Sequence, residues 1–374
     1  MDNIVVIGGG IVGSSAAYRL ARRGLNVTLV DRGHEGHATA AGAGIISQSA
    51  VFRQSPPSIE LSAEAVRYYP DLVAQLTEDG ETDTGFATVG EVFVAVNDEE
   101  ASELTQVKQS LTERVKQGIH GIDEISDLTS ADAQRLFPPL AAIQSALFIS
   151  GASRMDGRLM RASLQRAAQR HGLRVVKGTA QIVSDGARVS GVIVDGERIP
   201  CDQVIISGGA WSPDLSRELG FNLPVYPQRG QILHLAIPGA ETTNWPIITG
   251  FHSHYMVTFP QDRVVVGATR ERDSGFDYRM TAGGIHEVLG EALRVAPGLS
   301  TTTLVEIRIG FRPASPDDRP ILGLAPGFEN LYLATGHGPS GLQLGPYSGV
   351  AVADLLTGDP VAVNLEPFSP LRFA

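Results

Sequence analysis

The feature that most constrains this chain is its opening, NIVVIGGGIVGSSAAYRLARRGLNVTLVDR, in which Gly8, Gly10 and Gly13 fall in the spacing G-x-G-x-x-G. A chain with 42 glycines in 374 residues produces such triplets by chance, so the flanks decide what this one means. NIVVIG is a short β-branched run of the kind buried in a parallel sheet. After Gly13, the residues Ala16, Ala17, Leu20 and Ala21 recur at helical spacing. Arg22 and Arg23 suit the negative end of the helix dipole, and Gly24 closes the helix. NVTLVD then reads as a second strand ending in an acid, Asp31, 18 residues after Gly13. Strand, glycine turn, helix and strand with a terminal acid form the context a dinucleotide fingerprint requires.

Each part has a physical task. Gly8 permits the tight turn, Gly10 lets the backbone approach a pyrophosphate, and Gly13 lets helix pack on strand. Ile11 and Val12 begin the helix, whose free N–H groups and partial positive charge face the phosphates. Asp31, with Arg32 beside it, can accept hydrogen bonds from adenosine ribose hydroxyls, and its charge disfavours a 2′-phosphate and hence NADP. The opening alone does not separate NAD from FAD.

The net charge of −11 argues against nucleic acid or an anionic membrane surface as partner. One cysteine, Cys201, allows no internal disulfide. No apolar run approaches the length of a membrane span, and no secretory signal is visible, so a soluble cytoplasmic protein is expected. The length predicts two domains.

Further along, GHATAAGAGIISQS is a small-residue loop suited to lie against a flat ring system. The next segment carries Val66, Tyr69, Val73 and Leu76 at helical spacing, with an interruption expected near Pro70. A later helix is predicted with Asp156 as its cap and Leu159, Ser163, Leu164 and Ala167 on one side. Asp185-Gly186 and Asp195-Gly196 mark turns between strands, and DQVIISGGAWS is another strand ending in glycines. QILHLAI, HYMVTF and RVVVGAT read as strands of a second sheet.

Taken together and in this order, VVIGGGIVGSSAAYRLARRG, ATAAGAGI, VIISGGAWS, PQRGQILHL, HYMVTFPQDRVVVGATRERDSGFD, GFRPASPDDRPILG and NLYLATGHGPSGLQLGPYSGVAVADLL resemble the D-amino-acid oxidase superfamily of FAD enzymes. The likeness covers nearly the whole chain and is greatest to the glycine oxidase and D-amino-acid dehydrogenase branches. It implies an α/β fold, with a Rossmann-like FAD-binding domain and a smaller α+β substrate domain built on a mostly antiparallel sheet. On this resemblance the FAD domain is discontinuous, formed by 1–85, 142–222 and 307–374, with 86–141 and 223–306 left for the substrate domain. It also implies oxidative deamination of glycine or a D-amino acid, by hydride transfer from the α-carbon, giving an imine and then a keto acid and ammonia. Oxidation of a secondary amine such as sarcosine, or service as the FAD-carrying subunit of a hetero-oligomeric dehydrogenase, are the alternatives. Electrons would pass to oxygen, or to a quinone or other acceptor, and the resemblance leaves room for a homo-oligomer.

The same resemblance assigns residues. Arg312 of GFRP would grip the substrate carboxylate through two parallel donors, against the alternative of a structural ion pair with Asp317 or Asp318. Tyr255 matches a tyrosine that touches the carboxylate in glycine oxidase, against a packing role in its strand. Arg270 stands where glycine oxidase has a methionine near the substrate. Strand alternation would give it a face with Val264, Val266 and Ala268, whereas an earlier strand end would leave it in solvent, the reading preferred from the residues alone. Gly338, Pro339, Ser340, Gly341 and Leu342 would wrap one flavin edge. Ala41, Gly42, Ala43, Gly44 and Ile45 would lie along the ring, and Gly208, Gly209 and Trp211 would complete the cleft. Arg53 would reach the flavin or lie at the surface, and His337 would approach the substrate or fill its loop. The pairs His252/His254 and His34/His37 lack a third ligand, so no metal is expected. No cysteine sits in the arginine motif, so the FAD is expected to be non-covalent.

Overall fold

The computed structural model describes residues 3–51 and 54–374; Arg53 lies outside the described residues. The opening strand, Asn3–Ile7, pairs in parallel with Asn26–Asp31 on one side and Gln203–Ile206 on the other. Arg174–Lys177 and Leu331–Thr335 extend this sheet in parallel, and Ile321–Leu324 closes it as an antiparallel edge. Its central strand is covered on both faces: Ile4 and Val6 enter one core cluster, Val5 and Ile7 another. That double burial is why the strand is a continuous apolar run and not an alternating one.

A second, eight-stranded sheet runs in the order Thr303–Ala314, Tyr226–Ala236, Arg263–Gly267, Tyr255–Phe259, Ile247–Thr249, Glu91–Ala95, Ser145–Ile149, Ile125–Leu128. All its pairings are antiparallel except Ile247–Thr249 with Glu91–Ala95. One face, through Leu233, Leu235, Val264 and Val266, packs on the helix Ala282–Val295. The other, through Ile232, Val257, Phe259 and Val265, packs against Ala43 of the nucleotide half. The fold is thus α/β, a Rossmann-like parallel sheet joined to a mostly antiparallel one. We propose a division into two units on this basis, with 145–149 and 303–314 counted with the second sheet to which they are hydrogen-bonded.

Three local expectations need correction. Pro70 does not interrupt its helix, which runs unbroken from Pro56 to Glu78; Pro70 sits on the exposed face, where a missing N–H is readily covered by water. Leu159 is 36% exposed, and Met160 takes its place in the core, because the helix begins at Gly157 with Asp156 as cap and so turns Leu159 outward. The small-residue loop contains one turn of helix, Ala38–Ala41.

The closing helix, Gly341–Thr357, lies against the opening helix, Ile11–Arg22, at a separation that excludes side chains. A Cβ on Gly349 would lie 2.3 Å from the Val12 carbonyl oxygen and 2.9 Å from the Ala16 nitrogen, both backbone atoms. Gly290, mid-helix and exposed, would meet nothing. Gly349→Ala should therefore cost about 1–3 kcal/mol through overpacking. Gly290→Ala should gain about 0.5–1 kcal/mol from helix propensity. Urea unfolding midpoints of the two variants test this opposition of sign.

Candidate active site

A long cavity runs from the carboxyl ends of the parallel strands to the inner face of the second sheet. At one end lie Asp31 and Arg32, with Gly178, Thr179 and Ala180 opposite. In the middle are Gly8, Gly10, Ile11 and Val12 on one wall and Gly208, Gly209 and Trp211 on the other. The far end is formed by Ala41, Gly42, Ala43, Gly44 and Ile45, by Gly338, Pro339, Gly341 and Leu342, and by Tyr255, Arg270 and Arg312. Of the expected residues, Gly13 and Ser340 are not on the wall. Gly13 packs instead: a Cβ there would lie 2.0 Å from the Gly8 carbonyl oxygen. Ser340 lies in the short turn Gly338–Ser340 that starts the closing helix.

The cavity suits an elongated anionic molecule. The opening helix is preceded by Gly10 and the closing helix by Ser340, and neither residue caps its helix through a side chain. Two helix N-termini with free N–H groups therefore face one cavity, the first in its middle and the second at its far end, where each favours negative charge. At the first of these ends the Ile11 N–H donates to Thr39 Oγ1 at 2.9 Å. Asp31 is held in place by Arg161, whose Nη2 donates to Oδ2 at 2.8 Å. Trp211 is stacked between His34, at 4.2 Å, and Phe276, at 4.8 Å. Cys201 is buried among the strands of the parallel half, away from the cavity, with its thiol pushed up to about 12 by burial. A pyrophosphate at Gly8–Val12 and a ring at Ala41–Ile45 fit this arrangement.

At the far end the cations stand apart from carboxylates. Arg312 Nη1 donates to the Thr269 carbonyl at 3.0 Å, and among the described residues it pairs with no acid. Asp317, the partner weighed for it, is taken by Arg319 and Arg372. Burial lowers the Arg312 pKa and raises that of Tyr255, its neighbour, with each charge partly offsetting the other's shift. Arg270 departs from strand alternation. Its strand ends at Gly267, so Ala268 joins the core cluster on the cavity side while Val264 and Val266 face the opposite helix. The chain then turns, and Arg270 is exposed, as an early strand end implies, while it also lines the cavity. His337 is on the wall too, buried, and its imidazole is pushed down to about 4 by desolvation.

Residues not singled out beforehand include Thr39, Gln343, Gly230 and Gly267. The two glycines clear room for the site: a Cβ on Gly230 would lie 2.5 Å from the Arg312 guanidinium, and one on Gly267 would lie 2.6 Å from the Tyr255 hydroxyl. Among the described residues no group of three or more His, Cys, Asp or Glu is placed to hold a metal ion, and no helix is long and apolar enough to cross a membrane.

A family model described as DAO, FAD dependent oxidoreductase, matches residues 3–355. The chain belongs to that family. As a DAO enzyme it is an FAD-dependent amine or amino-acid oxidoreductase. It is 38% identical over 371 residues to the uncharacterized oxidoreductase YurR of Bacillus subtilis (strain 168), covering 99% of each chain. It is 32% identical to a glycine oxidase of Pseudomonas aeruginosa, covering 99% of this chain and 98% of that one. Among solved structures, iminodiacetate oxidase (IdaA) from Chelativorans sp. BNC1 superposes with a TM-score of 0.94 at 41% identity, over 98% of this chain and 99% of that one. Glycine oxidase from Geobacillus kaustophilus gives 0.89 at 28%, over 98% of each chain.

The buried imidazole has a consequence for stability. An unfolded histidine titrates near 6.5, and His337 in the fold near 4. Between those values the unfolded chain holds a proton that the folded chain does not, so stability rises with pH across this window and is complete above it. Acidification from 6.5 to 4 should cost on the order of 3 kcal/mol from this group alone. His234, pushed down to about 3 by burial, adds a similar loss. Denaturant midpoints measured across this range should fall less steeply for His337→Asn than for the wild type.

Proposed function

We propose that this enzyme oxidises a secondary amino acid bearing two carboxylates, of the iminodiacetate type, at a methylene carbon beside nitrogen, with oxygen as electron acceptor. The observation that carries this reading is the presence of two guanidiniums, Arg312 and Arg270, on the wall of one cavity end, with no carboxylate paired to Arg312 among the described residues. Glycine or a D-amino acid with a neutral side chain would engage one cation and leave the other facing the pocket unused. The 41% identity to a protein named iminodiacetate oxidase supports the same choice.

Bound FAD supplies the hydride acceptor. The chain's own residues do the rest. Arg312, with Tyr255 beside it, holds one carboxylate in a fork of parallel donors, and Arg270 holds the other, so the methylene between carboxylate and nitrogen is fixed in orientation. Two flanking cations also oppose protonation of the nitrogen, favouring the neutral amine whose lone pair drives the reaction. The C–H bond breaks with its electron pair leaving as hydride, the lone pair closes a C=N bond, and the N–H proton leaves to solvent. Water then adds across the imine and the C–N bond breaks, releasing glyoxylate and glycine. No side-chain base is needed, which agrees with a His337 held neutral and weakly basic. The uncapped N-terminus of the closing helix would favour negative charge on a flavin held at this end of the cavity.

Anaerobic mixing of the holoenzyme with iminodiacetate, sarcosine, glycine and D-alanine tests this. Iminodiacetate should bleach the flavin band at the lowest concentration, with glyoxylate as product, and in air should consume oxygen and yield peroxide in equal amounts. Faster bleaching with glycine or D-alanine would replace the proposal. Arg312→Ala should lose about 2–5 kcal/mol in kcat/KM while retaining near-normal FAD content.

A further inference from the structure

We infer that the left-handed turn at His252–Ser253 is the device that aims Arg270 into the substrate pocket and so sets the enzyme's preference for a second carboxylate. The inference rests on the proposed function, because it explains how the second cation of that site is held.

Arg270 lies just beyond the end of a strand, on the far side of a turn, where a long side chain would ordinarily sweep through solvent. Two backbone carbonyls restrain it. Its Nη2 donates to the Ser253 oxygen at 2.7 Å, and its Nη1 reaches the Ala268 oxygen at 3.4 Å. With these carbonyls on one side, the remaining donors are left for the cavity that Arg270 lines. Among the described residues no carboxylate forms an ion pair with it, so the shorter of its restraints is a single peptide oxygen.

That oxygen is presented at a conformational cost. His252 and Ser253 both have positive φ, 50° and 60°, although neither is glycine. Consecutive L residues in this region are disfavoured and persist only where the surroundings over-determine them. Here the surroundings do so. His252 Nδ1 lies 3.1 Å from Glu291 Oε2, and its Nε2 lies 3.6 Å from Glu100 Oε1. Arg294 binds both acids, at 2.6 Å from Glu100 and 2.8 Å from Glu291, and Glu100 is 2% exposed. Phe251, fully buried, pins the start of the turn, and the His254 N–H closes it on the Phe251 carbonyl at 2.9 Å. Side chains from the helices Asp98–Lys116 and Ala282–Val295 thus fix His252, His252 fixes the following peptide, and that peptide's oxygen orients Arg270. His252 and Ser253 are positioning residues; neither lines the cavity.

The test is the double variant His252→Gly/Ser253→Gly, compared with Ser253→Ala and Arg270→Met, each as FAD-loaded protein. Glycine adopts these angles without strain, so the double variant should fold and keep its flavin while losing the fixed orientation of the carbonyl. Ser253→Ala keeps both the Cβ and the carbonyl and should behave as wild type. The probes are oxydiacetate, a dicarboxylate in which an ether oxygen replaces the amine, and methoxyacetate, its monocarboxylate counterpart, each titrated against the flavin spectrum. In the double variant oxydiacetate should bind about tenfold more weakly, which corresponds to about 1.4 kcal/mol, with methoxyacetate binding unchanged. KM for iminodiacetate should rise by a similar factor, with kcat held within about twofold, since the lost contact orders binding and not the chemical step. If the double variant binds oxydiacetate as tightly as wild type while Arg270→Met does not, the turn has no positioning role and the inference fails alone. If Arg270→Met also binds oxydiacetate as wild type does, the dicarboxylate reading fails and takes the inference with it.

Discussion

The constraint on which the rest of the structure depends is the close contact of backbones around the opening helix. Gly13 brings that helix onto the strand–turn unit with no room for a Cβ, and Gly349 brings the closing helix onto it with equally little. Two helices widely separated in sequence are thereby held side by side, with their N-termini directed at the same space. A helix N-terminus without a capping side chain carries partial positive charge and unpaired donors. One such end suits a phosphate; two, separated along a cavity, suit a molecule with negative charge at its middle and developing negative charge at its far end. Larger side chains at these glycines would separate the helices, and the cavity would lose its shape before any residue on its wall was altered.

The second sheet adds what a nucleotide site lacks. Its inner face packs on Ala43 through Ile232, Val257, Phe259 and Val265, and of this cluster Ile232 and Ala43 reach the cavity wall and give its ring end an apolar floor. On that floor Tyr255 and Arg312 come from strands that are not neighbours, separated by the strands Arg263–Gly267 and Tyr226–Ala236. They can meet only because Gly267 and Gly230, on those two strands, carry no side chain between them. A guanidinium in such a place, desolvated and without a carboxylate of its own, is costly to the fold. On the proposed function, the carboxylate of the substrate would receive that charge and complete the pairing when it binds.

Much of this was legible in the sequence, and the failures have physical causes. Glycine spacing with its flanking strands was enough to locate the cavity's nucleotide end, because each glycine answers a local backbone demand. Family motifs drew attention to Arg312 and Tyr255, which the structure brings together. For Arg270 the preferred reading, an early strand end with the side chain in solvent, matches a strand that stops at Gly267 and an exposed side chain. Yet it did not foresee a place on the cavity wall, since a strand's period of two gives no direction once the ladder stops. Gly230 and Gly267 stood in plain view within PQRG and VVVG, yet a glycine in a strand announces a close approach without saying what approaches. Thr39 and Gln343 carry no pattern of their own. Strand Ser145–Ile149 falls in the stretch 142–222 expected for the FAD domain but is hydrogen-bonded into the second sheet, since chain order does not reveal which of two sheets will complete a strand's hydrogen bonds.

The two arginines of the proposed substrate pocket are restrained in different ways. Arg312 is set into a strand, opposite Gln228 and with its guanidinium over Gly230, so its position follows from the sheet itself. Arg270 is set beyond a strand end, and its direction depends on a turn anchored by Glu100, Glu291 and Arg294. These anchors belong to two helices, Asp98–Lys116 and Ala282–Val295, that pack on opposite faces of the second sheet, and none of the three lines the cavity. On the proposed function, substitutions at these anchors would alter how the second cation is presented and leave the first carboxylate grip unchanged. On that reading, separating the two kinds of restraint would allow the outer part of the pocket to vary while the redox centre stays fixed, and would place control of specificity in residues that do not line the cavity.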